Sequence, residues 1–306
     1  MAVEKTERIW MDNELIPWDE ARVPILTHTL HYGLGAFEGI RCYRCADGRS
    51  AVFRLRDHME RFERSARILE IEIPYTVEAL EQAVLATLRS NKLPEGYIRP
   101  LVFLGDGSMG LLPADNPVHV AIAVWPWGTY LGEENLERGV RAKVSSYTRP
   151  HPNSSMTKSK TCGDYVNSIL AKREVTRIGY DEAIMLDSNG AVAEASGENI
   201  FIARRGTLKT PPLGSVLEGI TRDSVMTIAR DKGIDVIEQS FTRDEFYVAD
   251  EAFLTGTAAE VTPIRELDDR MIGAGTRGPI TRTIQSSFFD AVHARTVKYE
   301  HWLTYV

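Results

Sequence analysis

Two segments of helical period stand nearly back to back in this chain, at 57–71 and 77–93, and two apolar runs follow at 97–105 and 118–127. In the first segment Met59, Phe62, Ala66 and Leu69 fall on one helical face, with charged residues on the others. "YIRPLVFLG" and "VHVAIAVWPW" read instead as buried strands. Upstream, "RIWMDNELIPW" (8–18) reads as a hairpin, with Asp12 and Asn13 supplying the turn. Strands covered by two amphipathic helices make residues 1–125 a small α+β domain.

The next stretch, "PWGTYLGEENLERG" (126–139), is polar, holds three glycines and breaks the pattern, so it reads as an interdomain linker. Residues 140–306 then form a second domain. It opens with a strand (140–147) and the segment "TKSKTCGDYVNS" (157–168), then a helix near 164–178. A strand pair turns at Ser188-Asn189-Gly190, "NIFIARRGTLKTP" adds strand, and helices follow at 219–233 and 278–295. The expectation is a larger α/β domain with a barrel-like or mixed sheet. A length of 306 residues agrees with two cores rather than one.

Composition narrows the function classes. The chain is 43% hydrophobic and 26% charged, and no apolar run approaches the roughly 20 residues of a membrane helix. No apolar stretch follows the N-terminal charges, so a cytoplasmic protein without a secretory signal is expected. A net charge of −7 argues against general affinity for nucleic acid. Three cysteines give no disulfide framework, and the lone pair Cys42 and Cys45 lacks the further ligands of a zinc site. No metal is expected.

Four features could carry chemistry. Lys158 and Lys160 are two apart, so in an extended segment they point the same way. Both read either as surface cations or as one reactive amine with a neighbour. "AEASGENIF" (193–201) places Glu194 and Glu198 around a small-residue turn between apolar strand residues. They read as solvated, or as carboxylates held inside, which would need cationic partners or donors. "LEGITRDSV" (217–225) opens a helix at Gly219, where the amides of Ile220 and Thr221 could bind an anion such as phosphate; Thr221 also reads as an ordinary N-cap. "TGTAAE" (255–260) adds a Gly-Thr turn after a strand. A lysine, a phosphate cradle and a carboxylate for a ring nitrogen are the parts of a pyridoxal 5′-phosphate site.

With these residues in place, the chain resembles the class IV (fold type IV) pyridoxal phosphate enzymes, and among them the branched-chain amino acid aminotransferases. The likeness runs from about residue 8 to about residue 290. It is carried in order by "HYGLGAFEGIR" (31–41), "YIRPL" (97–101), "GDGSMGL" (105–111), "WPWGTYLG" (125–132), "KTCGDYVNS" (160–168), "EASGENIF" (194–201), "GITRD" (219–223) and "GTAAEVTP" (256–263). The resemblance implies transamination between branched-chain L-amino acids and 2-oxoglutarate. Its Schiff-base lysine precedes a tyrosine by five residues, which selects Lys160, before Tyr165, over Lys158.

Other roles implied by the resemblance follow position by position. Glu194 would pair with the pyridine nitrogen and Tyr165 with the phenolic oxygen. Arg61, Ile220, Thr221 and Thr257 would hold the phosphate, and Glu198 and Asn199 would order the turn beneath the ring. Thr257 and Ala258, with Tyr97, would take the substrate's α-carboxylate. Arg99 would accept the distal carboxylate of glutamate. Phe37, Gly39, Trp127, Tyr130 and Tyr165 would wall the side-chain pocket. Tyr32, Met109 and Leu111 would reach in from a partner subunit, making a homodimer the minimum unit.

Some positions depart from the family's usual pattern. Thr161 and Cys162 stand where Ala or Gly is common, and Leu111 stands where a smaller apolar residue often occurs. These bear on substrate preference rather than on the chemistry. Rivals on the same fold are the D-amino acid aminotransferases, including action on (R)-amines, and aminodeoxychorismate lyase. A non-catalytic, cofactor-binding protein is the rival from another class.

Overall fold

The computed structural model describes residues 3–113, 115–128 and 130–306; Thr129, inside the stretch read as a linker, lies outside them. The chain forms two compact units. The first runs through Gly128 and also takes in Lys158–Asp164 and Ala291–Val306; the second holds the chain from there to Thr157, and Tyr165–Asp290.

The first unit begins with the expected hairpin. β1 (Arg8–Met11) pairs with β2 (Glu14–Pro17), and Asp12 and Asn13 take φ values of 47° and 74°. Two left-handed central residues match the twist of the strands, which is why an Asp-Asn pair serves here. Then come α1 (His28–Tyr32), β3 (Gly35–Phe37), β4 (Ile40–Arg44) and β5 (Ser50–Phe53). The two segments of helical period are α2 (Leu55–Ile68) and α3 (Val77–Ser90), and the apolar runs are β6 (Gly96–Leu104) and β7 (Val118–Trp125). The antiparallel sheet runs β5-β4-β6-β7-β1-β2, with β3 also beside β6. Met59 and Phe62 of α2 and Leu80, Val84 and Leu88 of α3 pack with Ile40, Ile98, Val102 and Ile122 of the sheet in one buried core. Thr76 caps α3 through the amide of Ala79.

The second unit opens with a short helix, α4 (Asn135–Arg138), so the end of the glycine-containing stretch is helical. β8 (Val140–Val144), α5 (Tyr165–Thr176), β9 (Glu182–Leu186), β10 (Val192–Ala195), β11 (Asn199–Arg204) and β12 (Thr207–Thr210) follow. Next are α6 (Ile220–Asp231), β13 (Val236–Glu238), α7 (Arg243–Tyr247), β14 (Glu251–Gly256), β15 (Glu260–Leu267), β16 (Arg270–Met271) and α8 (Pro279–Val292). The sheet order is β10-β9-β8-β15-β14-β11-β12-β13, with β16 beside β15. β8 pairs in parallel with both β9 and β15, and β12 with β13, while the other ladders are antiparallel. The expected mixed sheet is therefore present. The chain's last strand, β17 (Leu303–Tyr305), returns to the first unit and pairs with β5. Among the described residues no helix is long and apolar enough to cross a membrane.

Candidate active site

In the first unit the segment bearing Lys160 runs antiparallel to β3. Phe37 N donates to the carbonyl of Lys160 (3.1 Å), Cys162 N to Gly35 O (2.8 Å) and Gly163 N to Gly33 O (3.1 Å). A side chain on Gly33 would press within 2.8 Å of Gly163 Cα, so this pairing needs glycine there. Helix α2 holds the segment from the other side: Lys160 N donates to Ser65 Oγ (3.0 Å) and Ser159 Oγ to Ser65 O (3.0 Å). The backbone of the lysine is thus fixed on both edges. Its Nζ lies 5.0 Å from the Phe37 ring centroid.

The same ring is faced by Arg99, whose guanidinium carbon sits 4.7 Å from the Phe37 centroid, 5.4 Å from Tyr97 and 5.9 Å from Trp125. Tyr97 and Arg99 are two apart on β6 and so share a face. Tyr97 packs against Trp125 and Trp127, each 5.3 Å between centroids. Gly39 leaves room for the Tyr97 hydroxyl, which a Cβ there would meet at 2.0 Å. Arg99 Nε is buried without a hydrogen-bond partner among the described residues. Cys162 is a protonated thiol: burial pushes it up to about 11 against the opposing pull of Arg99.

Arg61 lies on the inner face of α2, 4% exposed, so it is no solvated surface arginine. Its Nε and Nη2 donate to the two oxygens of Glu38 at 2.7 and 2.9 Å. His58 Nδ1 lies 2.7 Å from the same carboxylate, which also accepts from Gly39 N (3.2 Å). Burial alone would raise the Glu38 carboxyl; Arg61 and His58 outweigh it and hold the group far below the usual range. Burial lowers His58, so the imidazole is neutral near pH 7.

Tyr32, Met109 and Leu111 stand apart from this group on an exposed apolar surface of the unit. Leu111 is 91% exposed, beside Leu112 at 86%, and Ile25 and Leu30 are bare as well. His28 joins the two stretches through Gly110 O (2.8 Å), and its ring lies tilted against Tyr32, 4.5 Å between centroids.

The second unit gathers the other candidates. Both carboxylates of the 193–201 turn are buried. Glu194, on β10, accepts from Arg149 Nη2 at 2.9 Å and from Asn199 Nδ2 and Leu217 N at 3.2 Å. Asn199 also donates to Leu217 O (3.1 Å), and its Oδ1 lies where a Cβ on Gly219 would stand, 1.9 Å away. The carboxylate, the asparagine and the entry to α6 therefore form one packed set. Helix α6 starts at Ile220, and no side chain among the described residues caps its first turn; Ile220 and Thr221 are both buried. Thr257 and Ala258 lie in the tight connection between β14 and β15, half-buried, beside a Thr255 hydroxyl that is buried without a partner among the described residues. Tyr165 opens α5 and is half-buried. Tyr130 is 41% exposed, with Lys172 Nζ 5.6 Å from its ring centroid.

Glu198 differs from Glu194. Burial, and then the charge of Glu182, push its carboxyl up to about 8, although Lys172 pulls the other way. Glu182 is fully buried, ion-paired to Lys172 and hydrogen-bonded by Ser196 Oγ (2.6 Å) and Ala183 N (2.7 Å). Glu38, His58, Ser65, Arg149 and Lys172 are participants that sequence reasoning did not single out. Glu38 carried a usable signal, an acidic residue within the apolar run "GLGAFEGI"; Arg149 carried none.

Comparison with known proteins places the chain in a family. The family model for amino-transferase class IV matches residues 35–267. A branched-chain-amino-acid aminotransferase of Pseudomonas aeruginosa is 50% identical over 298 residues, covering 97% of each chain. That of Escherichia coli K12 is 44% identical over 308 residues, covering all of this chain and 99% of its own. The crystal structure of an E. coli branched-chain amino acid aminotransferase superposes with a TM-score of 0.95 at 44% identity, over 98% of this chain and 99% of that one. The branched-chain amino acid aminotransferase from Thermobaculum terrenum, in its PLP-bound holo form, gives 0.92 at 36% identity, over 99% of both chains. The chain belongs to the class IV aminotransferase family, and within it to the branched-chain-amino-acid aminotransferases.

Proposed function

We propose that the chain uses pyridoxal 5′-phosphate to exchange amino groups between L-leucine, L-isoleucine or L-valine and 2-oxoglutarate, by a ping-pong mechanism. The observation that carries this reading is the convergence of Lys160 and Arg99 on the Phe37 ring, at 5.0 and 4.7 Å. An amine, an aromatic wall and a guanidinium stand together, as a reaction that must accept both an apolar and an acidic side chain requires.

The residues suit the cofactor. Uncapped amides at the start of α6 suit a phosphate, and the buried, paired carboxylate of Glu194 suits a protonated ring nitrogen. When bound, pyridoxal phosphate supplies an electron sink for the substrate's Cα electrons. Arg61, Thr257 and the amides of Ile220 and Thr221 would hold the phosphate; Glu194 would accept from the ring nitrogen and Tyr165 would donate to the phenolic oxygen. Glu198 and Asn199 order the turn that presents Glu194. Lys160 Nζ would take the proton from substrate Cα and hold it at the amine. Lys158 is a supporting cation.

Tyr97 and the Thr257-Ala258 turn bind the α-carboxylate. Phe37, Gly39, Trp127, Tyr130 and Tyr165 line the side-chain pocket, where each buried methylene contributes roughly 0.8 kcal/mol. A glutamate carboxylate in the same place loses hydration, and Arg99 at the edge offsets that loss. Tyr32, Met109 and Leu111 complete the site of a second copy, and their exposure on an apolar surface supports a homodimer as the minimum unit.

The test is the absorption spectrum of the purified protein before and after L-leucine, with no oxo acid present. A yellow band should bleach as 4-methyl-2-oxopentanoate appears. A band that leucine leaves untouched would keep the cofactor and remove the substrate. Lys160→Ala should abolish turnover while Lys158→Ala retains it.

A further inference from the structure

Helix α2 presents His58, Arg61 and Ser65 along one stripe, since residues three and four apart are neighbours on a helix. Each is committed. Ser65 holds the backbone of Lys160 and Ser159, while His58 and Arg61 close on Glu38. Glu38 is fully buried and His58 is 1% exposed. Neither faces solvent, and neither has been given a role in the chemistry above.

Two features make this more than charge neutralisation. Glu38 meets Arg61 through Nε and Nη2 together, and two parallel bonds fix the plane of the guanidinium as well as its position. The carboxylate is itself fixed, by His58 and by the amide of Gly39. An arginine side chain otherwise carries rotamer entropy that a ligand would have to quench. Here the fold has already quenched it, in the same unit and on the same helix that sets the lysine backbone.

We propose that Glu38, braced by His58, is a positioning residue that aims the Arg61 guanidinium at the cofactor's phosphate. The inference rests on the reading of Arg61 as a phosphate ligand. The role is specific to phosphate: it should matter for pyridoxal phosphate and not for pyridoxal, which has the ring and aldehyde but no phosphate.

The experiment measures the dissociation constants of pyridoxal phosphate and of pyridoxal for full-length apoprotein, followed by absorbance. In Glu38→Gln the phosphorylated ligand should weaken by about 10- to 100-fold, as when an outer partner is removed at a metal centre, while pyridoxal changes little. Equal weakening of both ligands, or no weakening, overturns the proposal. Glu38→Asp keeps the charge but shortens the reach. It should show the same selective loss, and it decides the matter if Glu38→Gln does not fold. Arg61→Lys separates the two levels of the argument. If it leaves the preference for pyridoxal phosphate intact, the phosphate reading of Arg61 falls and the role of Glu38 with it. If it abolishes the preference while both Glu38 variants keep it, only the role of Glu38 falls.

Discussion

Arg149 places a guanidinium nitrogen 2.9 Å from Glu194, and both side chains are nearly buried, at 12% and 8% exposed. The pair joins the segment that follows β8 to β10, the strand that carries Glu194. Buried pairs are costly to break from one side, because the remaining charge stays desolvated. Arg149→Met should destabilise the protein by about 3–5 kcal/mol at neutral pH, read from urea unfolding. Adding Glu194→Gln should recover part of that loss. A double variant as unstable as the single one would show that the cost lies elsewhere.

Gly39 and Tyr97 make a second pair with a sharp steric condition. Gly39→Ala sets a methyl 2.0 Å from the Tyr97 hydroxyl, so the phenol must shift. Overpacking of this kind costs about 1–3 kcal/mol. Melting temperature should fall, and KM should rise for leucine and glutamate alike if Tyr97 serves, as proposed, the α-carboxylate both share. Tyr97→Phe in the same chain removes the nearest clash, leaving the ring carbon at 2.9 Å, and should restore part of the stability but not KM.

The proposed role of Arg99 divides the two half-reactions. Arg99→Ala should raise the apparent KM for 2-oxoglutarate far more than for the branched-chain oxo acids, since only the former carries a second carboxylate to be paired. Steady-state kinetics with both substrate classes check this. Equal effects would place Arg99 outside the substrate site.

Glu198 predicts a pH dependence of defined sign. Its carboxyl is raised to about 8, with burial as the first cause and Glu182 as the second. Between the usual carboxylate range and about 8 the folded protein therefore holds a proton that the unfolded chain has released, and stability falls as pH rises through that window. Glu198→Gln removes the titration. Its melting temperature should gain on the wild type steadily from about pH 5 to about pH 9. A constant difference between the two proteins would mean that Glu198 is ionised throughout.

What the sequence disclosed follows from how local the signals are. The Asp12-Asn13 hairpin, the periods of α2 and α3 and the opening of α6 at Ile220 are written within a few turns of chain, and each stands where expected. The motifs around Lys160, Glu194 and Thr257 were legible too, in part because their order resembles a known family. The partners were not. Glu38 finds Arg61 across 23 positions, Lys160 finds Ser65 across 95, and Arg149 reaches Glu194 through the fold of the second unit. Each pairing is a consequence of strand order, and no periodicity within either segment encodes it. Strands β3, β4 and β5 give no clear pattern either, since glycine and charged residues interrupt their short apolar runs.

The first unit is made first and completed last. Lys160 joins it only when Lys158–Asp164 returns to lie beside β3, and its sheet gains β17 only from the final residues, Leu303–Tyr305. Contacts of such separation must meet their loop-closure entropy before they reward the chain. A nascent or truncated chain can therefore form the helices and much of the core of this unit while its lysine is still unanchored. Lys160 is seated only with the chain's second pass through the unit, so an interrupted chain carries Arg61 and Arg99 without it.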